Sequence, residues 1–124
     1  MYRLKITDSF SASHQLKGYK GKCESLHGHN FEVELVVEGK KLDKLGLLLD
    51  FKILKKILAD VLEKLDHKHL NRLPAFSRKN PSAENIAEHI FKELSRKLPR
   101  AVKLCEVCVW ESDRAGACYT KQGI

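Results

Sequence analysis

The segment HGHNFEVELVVE, residues 27–38, alternates between apolar and polar side chains over most of its length. Alternate side chains of a strand leave opposite faces, so the pattern predicts a strand with one apolar and one charged face. The apolar positions are Phe31, Val33, Leu35 and Val37. Such a strand needs a partner layer that covers its apolar face.

Three further strands and two helices complete the prediction. Alternation predicts strands over 2–14, 102–111 and 117–121. Apolar stripes at helical spacing predict a helix from Phe51 to about Leu65, capped by Asp50, and a second helix capped by Asn80 and ended by Pro99. The order ββααββ is typical of an α+β fold, an antiparallel sheet with both helices on one face. The 124 residues suit a single domain spanning 1–124.

The composition indicates which class of ligand the protein binds and in which cellular compartment it is expected. The net charge is +7, but the basic residues are scattered and no nucleic-acid-binding signature appears. An anionic small molecule is therefore favoured over nucleic acid. No segment approaches the roughly 20 apolar residues of a membrane span. The four cysteines occur without a secretory signal, which predicts a reducing cytoplasm. Cys105 and Cys108 are expected on opposite faces of a strand, as structural residues and not as shared metal ligands.

Three histidines form the strongest candidate for a chemical site. His27 and His29 are two residues apart on one strand, so their side chains leave the same face about 7 Å apart. Antiparallel pairing of the first two strands can bring His14 alongside them. Three histidines without a fourth protein ligand are typical of catalytic zinc, which keeps one position for water or substrate. The alternative is a group of ordinary polar residues where a strand begins.

Other candidate residues remain open when only the sequence is considered. Cys23 lies between lysines and four residues before His27, so it is either a reactive thiolate or an incidental loop cysteine. Asp66 and His67 suggest a carboxylate that orients an imidazole, or simply a polar helix end. Glu111 ends an apolar strand face, where it either binds N–H donors of a ligand or lies at the surface.

These residues, in this order, resemble the 6-pyruvoyltetrahydropterin synthase / 6-carboxytetrahydropterin synthase family. The resemblance covers nearly the whole chain and depends on the segments FSASHQL, CESLHGHNFEVEL, LLLDFKILK, LDHKHLN, NPSAENIA and WESDRAGACY. It implies the tunnelling fold, a ββααββ unit whose sheets join into a barrel in a trimer. Two trimers usually stack into a homohexamer, with the active sites between subunits.

The resemblance also implies roles for individual residues. One Zn²⁺ per subunit would be bound by His14, His27 and His29. Cys23 would act as catalytic base, with Asp66 and His67 as a second proton-transfer pair. Glu111 would anchor the pterin, and Ser82 and Ser112 lie where the family has hydroxyl residues near it. The ligands of the substrate's phosphates are not fixed by the resemblance, and Lys20, Lys22 and Arg78 are the candidates.

The implied activity is that of a carbon–carbon lyase. It would convert 7,8-dihydroneopterin triphosphate to 6-carboxy-5,6,7,8-tetrahydropterin, acetaldehyde and triphosphate, in the synthesis of queuosine and other 7-deazaguanines. Glu24 leaves a second reaction open, because a Glu-x-x-His-Gly-His branch resembles a folate-pathway enzyme that releases 6-hydroxymethyl-7,8-dihydropterin. The same residues would also suit a 6-pyruvoyltetrahydropterin synthase, a hydrolase that uses zinc-bound water or a non-enzymatic zinc module.

Overall fold

Two long antiparallel strands and two helices dominate the computed structural model, which describes residues 1–18, 21 and 25–121. The strands are β1 (Tyr2–His14), β2 (His27–Gly39), β3 (Lys68–His69), β4 (Lys103–Ser112) and β5 (Ala115–Tyr119). The helices are α1 (Phe51–Glu63) and α2 (Ala83–Ser95), and two short 3-10 turns span Leu70–Arg72 and Pro74–Phe76. The order of strands in the sheet is β3-β1-β2-β4-β5.

Both helices cover one face of the sheet, which confirms the α+β prediction. Helix α1 packs against β1, and α2 packs against β4 and β5. A single hydrophobic core joins them, with Phe31, Leu54 and Ile86 fully buried. Within the described residues, no helix is long and apolar enough to cross a membrane.

The pairing of β1 with β2 runs without interruption from Tyr2 opposite Gly39 to His14 opposite His27. The apolar side chains of β2 point into the core at alternate positions, as predicted. The core therefore continues along β1 and β2 until it meets the histidines at the end of the pair.

Several boundaries differ from the prediction. Helix α1 ends at Glu63, two residues before the predicted Leu65, which is nevertheless buried. Strand β5 begins at Ala115 and not at Ala117. The segment after α1 contains β3, a strand that was not predicted, and the two 3-10 turns. Strand β3 pairs parallel with the end of β1, so the sheet is not wholly antiparallel.

The prediction that Asn80 caps the second helix is wrong. Ser82 is the N-cap, because its backbone is extended and its hydroxyl accepts the backbone N–H of Asn85 at 3.2 Å. The Asn80 side chain is instead bonded to both backbone groups of Lys17. Because the Asn80 side chain is used in this contact, Ser82 caps the helix.

The expected alternation also fails in β4. The pairing with β2 shifts by one residue between Val36 and Val37, so Cys105 has no partner on β2. The Cys105 thiol lies beside Glu38, and burial raises its pKa with a further contribution from that carboxylate. Cys105 thus faces away from the helices, as Cys108 does, and the two are not on opposite faces. Cys108 forms a disulfide with Cys118, which lies opposite it on β5.

Candidate metal centre and adjoining active-site residues

The three predicted histidines meet at one end of the β1–β2 pair. His14 lies opposite His27 in the register, and His29 is two residues further along β2. The ring centroid of His14 lies 4.5 Å from that of His27 and 5.2 Å from that of His29. One nitrogen from each imidazole lies within 4.8 Å of the other two. The structure therefore brings together the residues that sequence parity selected.

Backbone carbonyls fix the orientation of two of these rings. Nδ1 of His14 donates to the carbonyl of Pro81 at 2.7 Å, and Nδ1 of His27 donates to the carbonyl of Ser25 at 2.7 Å. A carbonyl can only accept, so each Nδ1 carries the proton and each Nε2 keeps its lone pair. This outer-shell arrangement is typical of metal-binding histidines.

The environment of His14 favours a neutral, metal-binding imidazole. His14 is 1% exposed, and burial lowers its pKa, so the ring stays neutral near pH 7. Nε2 of His14 and Nε2 of His29 are buried without a hydrogen-bond partner. Leaving a buried polar atom unpaired costs about 1–3 kcal/mol, and a bound cation would remove that cost. The residues present therefore fit a divalent metal ion held by three nitrogens.

Apolar rings close the inner side of the cluster. Phe31 is fully buried, 5.3 Å from His14 and 5.4 Å from His29 between ring centroids. Its other side stacks on Phe10 at 4.9 Å. These contacts place the histidines against the core, with little freedom to change rotamer.

Glu111 reaches the same place from β4. Its carboxylate lies 3.8 Å from Nε2 of His14, and its side chain is 31% exposed. The pairing of β4 with β5 shifts between Trp110 and Ser112, so Glu111 has no partner on β5. A carboxylate beside the metal ligands and still accessible can accept N–H groups of a bound molecule. Ser112 is exposed next to it, and its hydroxyl accepts the backbone N–H of Arg114 at 3.2 Å.

Asp66 and His67 form a hydrogen-bonded pair at the edge of β1. Nδ1 of His67 lies 2.9 Å from one carboxylate oxygen of Asp66, and the other oxygen accepts the backbone N–H of Ser11 at 2.8 Å. The Ser11 bond, followed by the His67 bond, lowers the pKa of Asp66. His67 has a positive φ of 58°, an uncommon conformation for a non-glycine residue. Its backbone N–H donates to the Ser11 carbonyl at 2.6 Å, which holds that conformation.

One residue of this pair and one residue of the histidine cluster border a common depression. His67 lines it together with His29, Ala12 and Gly28. The His67 side chain is 82% exposed, so its outer nitrogen is available to a ligand. Of the other sequence candidates, Ser82 caps α2 next to Pro81, whose carbonyl orients His14.

Two asparagines that were not predicted as site residues hold the segment that follows His14. Asn71 accepts the N–H of Gln15 and donates to its carbonyl, both at 2.9 Å. Asn80 makes the same two bonds to Lys17, at 2.9 and 3.0 Å. The two amides act like a neighbouring strand for this stretch of backbone. The signal was available in LDHKHLN and NPSAENIA, but only the structure shows what those asparagines contact.

Cys23 and Glu24 lie outside the described residues, as do Lys20 and Lys22. The roles assigned to them stay predictions. Arg78 is described, and it lines a depression with Lys17 and Lys79.

The fold and this arrangement define a class of protein, and comparison with solved structures identifies it. The structure of Caenorhabditis elegans 6-pyruvoyl tetrahydropterin synthase superimposes with a TM-score of 0.88 at 27% sequence identity, covering 98% of this chain and 96% of that one. This similarity confirms the ββααββ unit of the tunnelling fold. The model of the 6-pyruvoyl tetrahydropterin synthase family matches residues 3–122. The chain belongs to this family.

Curated relatives confirm that the chain is an enzyme of the tetrahydropterin synthase type. Dihydroneopterin monophosphate aldolase from Pyrococcus furiosus is 41% identical over 108 residues, or 87% of this chain and 88% of that protein. A putative 6-carboxy-5,6,7,8-tetrahydropterin synthase from Archaeoglobus fulgidus is 44% identical over 92 residues, covering 74% of this chain and 75% of the relative. The 6-carboxy-5,6,7,8-tetrahydropterin synthase of Rickettsia typhi is 32% identical over 106 residues, covering 72% and 77%.

Proposed function

We propose that the chain is a zinc-dependent 6-carboxy-5,6,7,8-tetrahydropterin synthase. It would convert 7,8-dihydroneopterin triphosphate to 6-carboxytetrahydropterin, acetaldehyde and triphosphate, in the cytoplasm and in the synthesis of queuosine. The observation that carries the proposal is the convergence of His14, His27 and His29, with two buried Nε2 atoms that lack a partner. Relatives with that activity in their names support the choice of reaction.

Zinc suits this donor set because three neutral imidazoles are a common ligand set of catalytic zinc. His14, His27 and His29 would hold the ion. When bound, it would polarise the hydroxyl groups of the substrate's side chain and make the neighbouring C–H bonds more acidic.

Glu111 would orient the pterin ring. An ionised carboxylate accepts two parallel N–H bonds, which matches the amino group and ring N–H of a pterin. The 3.8 Å between Glu111 and His14 supports this role, because a ring held by Glu111 would lie next to the metal ligands. Ser82 and Ser112 remain candidates for further contacts.

Proton transfer would fall to His67 and Cys23. Asp66 occupies Nδ1 of His67 and so leaves the other ring nitrogen to exchange a proton with the substrate. Cys23 would remove the second proton, as the family resemblance implies. The Asp66–His67 geometry supports the first assignment, whereas Cys23 is carried by the sequence motif alone.

An oligomer would complete the site. Strand β3 covers only Ala12 and Ser13 of β1, and among the described residues β5 has no neighbour on its outer side. Open edges invite pairing with another chain. They support a trimer whose sheets join into a barrel, and a homohexamer of two trimers, with the exposed His67 facing a neighbouring subunit.

A second candidate is an aldolase that releases 6-hydroxymethyl-7,8-dihydropterin. Glu24 motivates it, since the motif also fits Glu-x-x-His-Gly-His. The aldolase from Pyrococcus furiosus favours it too, and its name specifies a monophosphate substrate. Both reactions use a phosphorylated dihydroneopterin. They differ in the bond that is cleaved and in the number of phosphates that the substrate carries.

The test is to incubate the zinc-loaded protein separately with dihydroneopterin triphosphate and monophosphate and identify the pterin by mass spectrometry. Carboxytetrahydropterin from the triphosphate is expected, and Cys23→Ala should lose it while retaining zinc. Hydroxymethyldihydropterin that disappears in Glu24→Ala would establish the aldolase instead. Unchanged substrate with both compounds would contradict both reactions and leave a zinc-binding module.

A further inference from the structure

The face of the sheet away from the helices carries a second cluster of metal-ligand side chains. Cys108 on β4 and Cys118 on β5 are direct partners in the register, with Cα atoms 3.9 Å apart, and form a disulfide. Glu106 lies two residues before Cys108 on the same strand. Its carboxylate and the two sulfurs all lie within 4.8 Å of one another.

This cluster is separate from the histidines. Val107 and Val109, on either side of Cys108 in β4, are buried in the core under the helices. Cys108 therefore points to the opposite face, where Glu34 lies directly across from it on β2. The histidines project from the helix-covered face, at the end of β1 and β2. An ion bound at one site would not share ligands with the other.

We propose that the reduced protein binds a thiophilic divalent cation, of the Zn²⁺ or Cd²⁺ type, through Glu106, Cys108 and Cys118. Two thiolates and one carboxylate form a soft donor set, and thiolates select such ions. In a tetrahedral site with metal–sulfur bonds of about 2.3 Å, the ligand atoms lie about 3.8 Å apart. The Glu106 carboxylate already lies within 4.8 Å of both sulfurs. Rotation of the two cysteine side chains, which separates the sulfurs after reduction, is the main change that the site requires.

The disulfide and the bound cation are alternative states of one pair of sulfurs. A dithiol or phosphine reductant supplies two electrons, and two protons from solvent complete the two thiols. Binding of the cation then releases those two protons, because the thiolate is the metal ligand. Cys118 is exposed and gives the ion a path from solvent, whereas Cys108 is 4% exposed.

The chain's single tryptophan reports on this cluster. Trp110 follows Cys108 by two residues and pairs with Gly116, where the indole covers the glycine so closely that an added Cβ would overlap it. Trp110 therefore lies two residue pairs along the ladder from the Cys108–Cys118 pair, on the same face of β4 as Cys108. A change between disulfide, free thiols and metal thiolate should alter its fluorescence.

The experiment uses full-length Cys23→Ser protein, which removes the cysteine nearest the histidine motif. The protein is reduced, freed of metal without oxygen and titrated with Cd²⁺. Formation of the site should give a near-ultraviolet thiolate-to-cadmium band and a parallel change in Trp110 fluorescence, saturating at one ion per chain. Thiol titration should find three reactive cysteines in this form. In the oxidised protein it should find only Cys105, with no cadmium band.

Matched variants assign the ligands. Cys118→Ser should abolish the band, and Glu106→Gln should weaken cadmium binding at least tenfold. Cys105→Ser is the control, because Cys105 adjoins Glu106 but is not in the cluster, and it should bind as the parent does. His29→Leu should also keep the band, which separates this site from the proposed zinc site. A band that persists in Cys118→Ser, or reduced parent protein without a band, would overturn the proposal.

Discussion

Replacement of His29 by leucine should change stability in opposite directions with and without zinc. Without metal, Nε2 of His29 is a buried polar atom that lacks a partner, and such an atom costs about 1–3 kcal/mol. Leucine removes that atom and adds an apolar side chain beside Phe31, whose ring lies 5.4 Å from the imidazole. The metal-free variant should therefore be at least as stable as the metal-free wild type.

With zinc the order should reverse. A ligand present at a hundred times its dissociation constant stabilises the folded state by about 2.7 kcal/mol. For a chain of 124 residues this raises Tm by about 10 °C. The variant lacks one of three ligands and should show little of this increase.

The assay is thermal unfolding followed by circular dichroism, at one fixed protein concentration, with chelator or with excess zinc. Zinc content by elemental analysis should fall in the variant in parallel with the lost increase in Tm. Asn30→Ala, at an exposed neighbouring position, should keep the zinc response. An equal zinc-dependent increase in wild type and His29→Leu would refute the assignment of His29 as a ligand.

Three further predictions concern the residues that hold the site and the core. Asn71→Asp keeps the acceptor for the Gln15 N–H but loses the donor to its carbonyl, so the free energy of unfolding should fall by about 1–3 kcal/mol. Unchanged stability in urea unfolding would contradict this role of Asn71. Asp66→Asn tests the lowered pKa of the Asp66 carboxyl, whose pKa in the folded state lies below its value in the unfolded state. The carboxylate's contribution to the free energy of unfolding is therefore complete above the unfolded-state pKa and is lost as pH falls through the folded-state pKa. The stability difference between wild type and Asp66→Asn should therefore shrink from pH 7 to pH 3, and a constant difference would exclude this linkage. Leu58→Ala empties a fully buried position of α1 and should cost about 2–5 kcal/mol in urea unfolding, whereas Lys55→Ala on the exposed side should cost little.

The parts of the fold that depend on local pattern could be predicted from the sequence. Alternation located the four main strands, and helical spacing located α1 and α2, to within a few residues of their ends. The cap of α2 could not be predicted, because Asn80 and Ser82 are both good capping residues. The choice between them depends on a distant partner, since Asn80 is bonded to Lys17.

The errors in β4 have a related cause. Alternation assumes one residue per step, but the shift opposite Val36 and Val37 inserts an extra residue and turns Cys105 to the other face. Pairing between strands also decides that Cys118, ten residues further on, lies opposite Cys108. Spacing along the chain gave no indication of that pair. These features depend on long-range register, which one sequence does not specify.

The meeting of the three histidines could be predicted correctly, because their geometry follows from the same alternation of side chains that forms the core. His27 and His29 share a face with Phe31 whatever the register, since all three lie on one strand at even spacing. His14 has the same parity as Phe10, which is buried. A slip of one residue between β1 and β2 that turned His14 away would expose Phe10 as well. Burial of the apolar face thus selects the register that brings the three imidazoles together, and the stability of the core maintains the geometry of the metal centre.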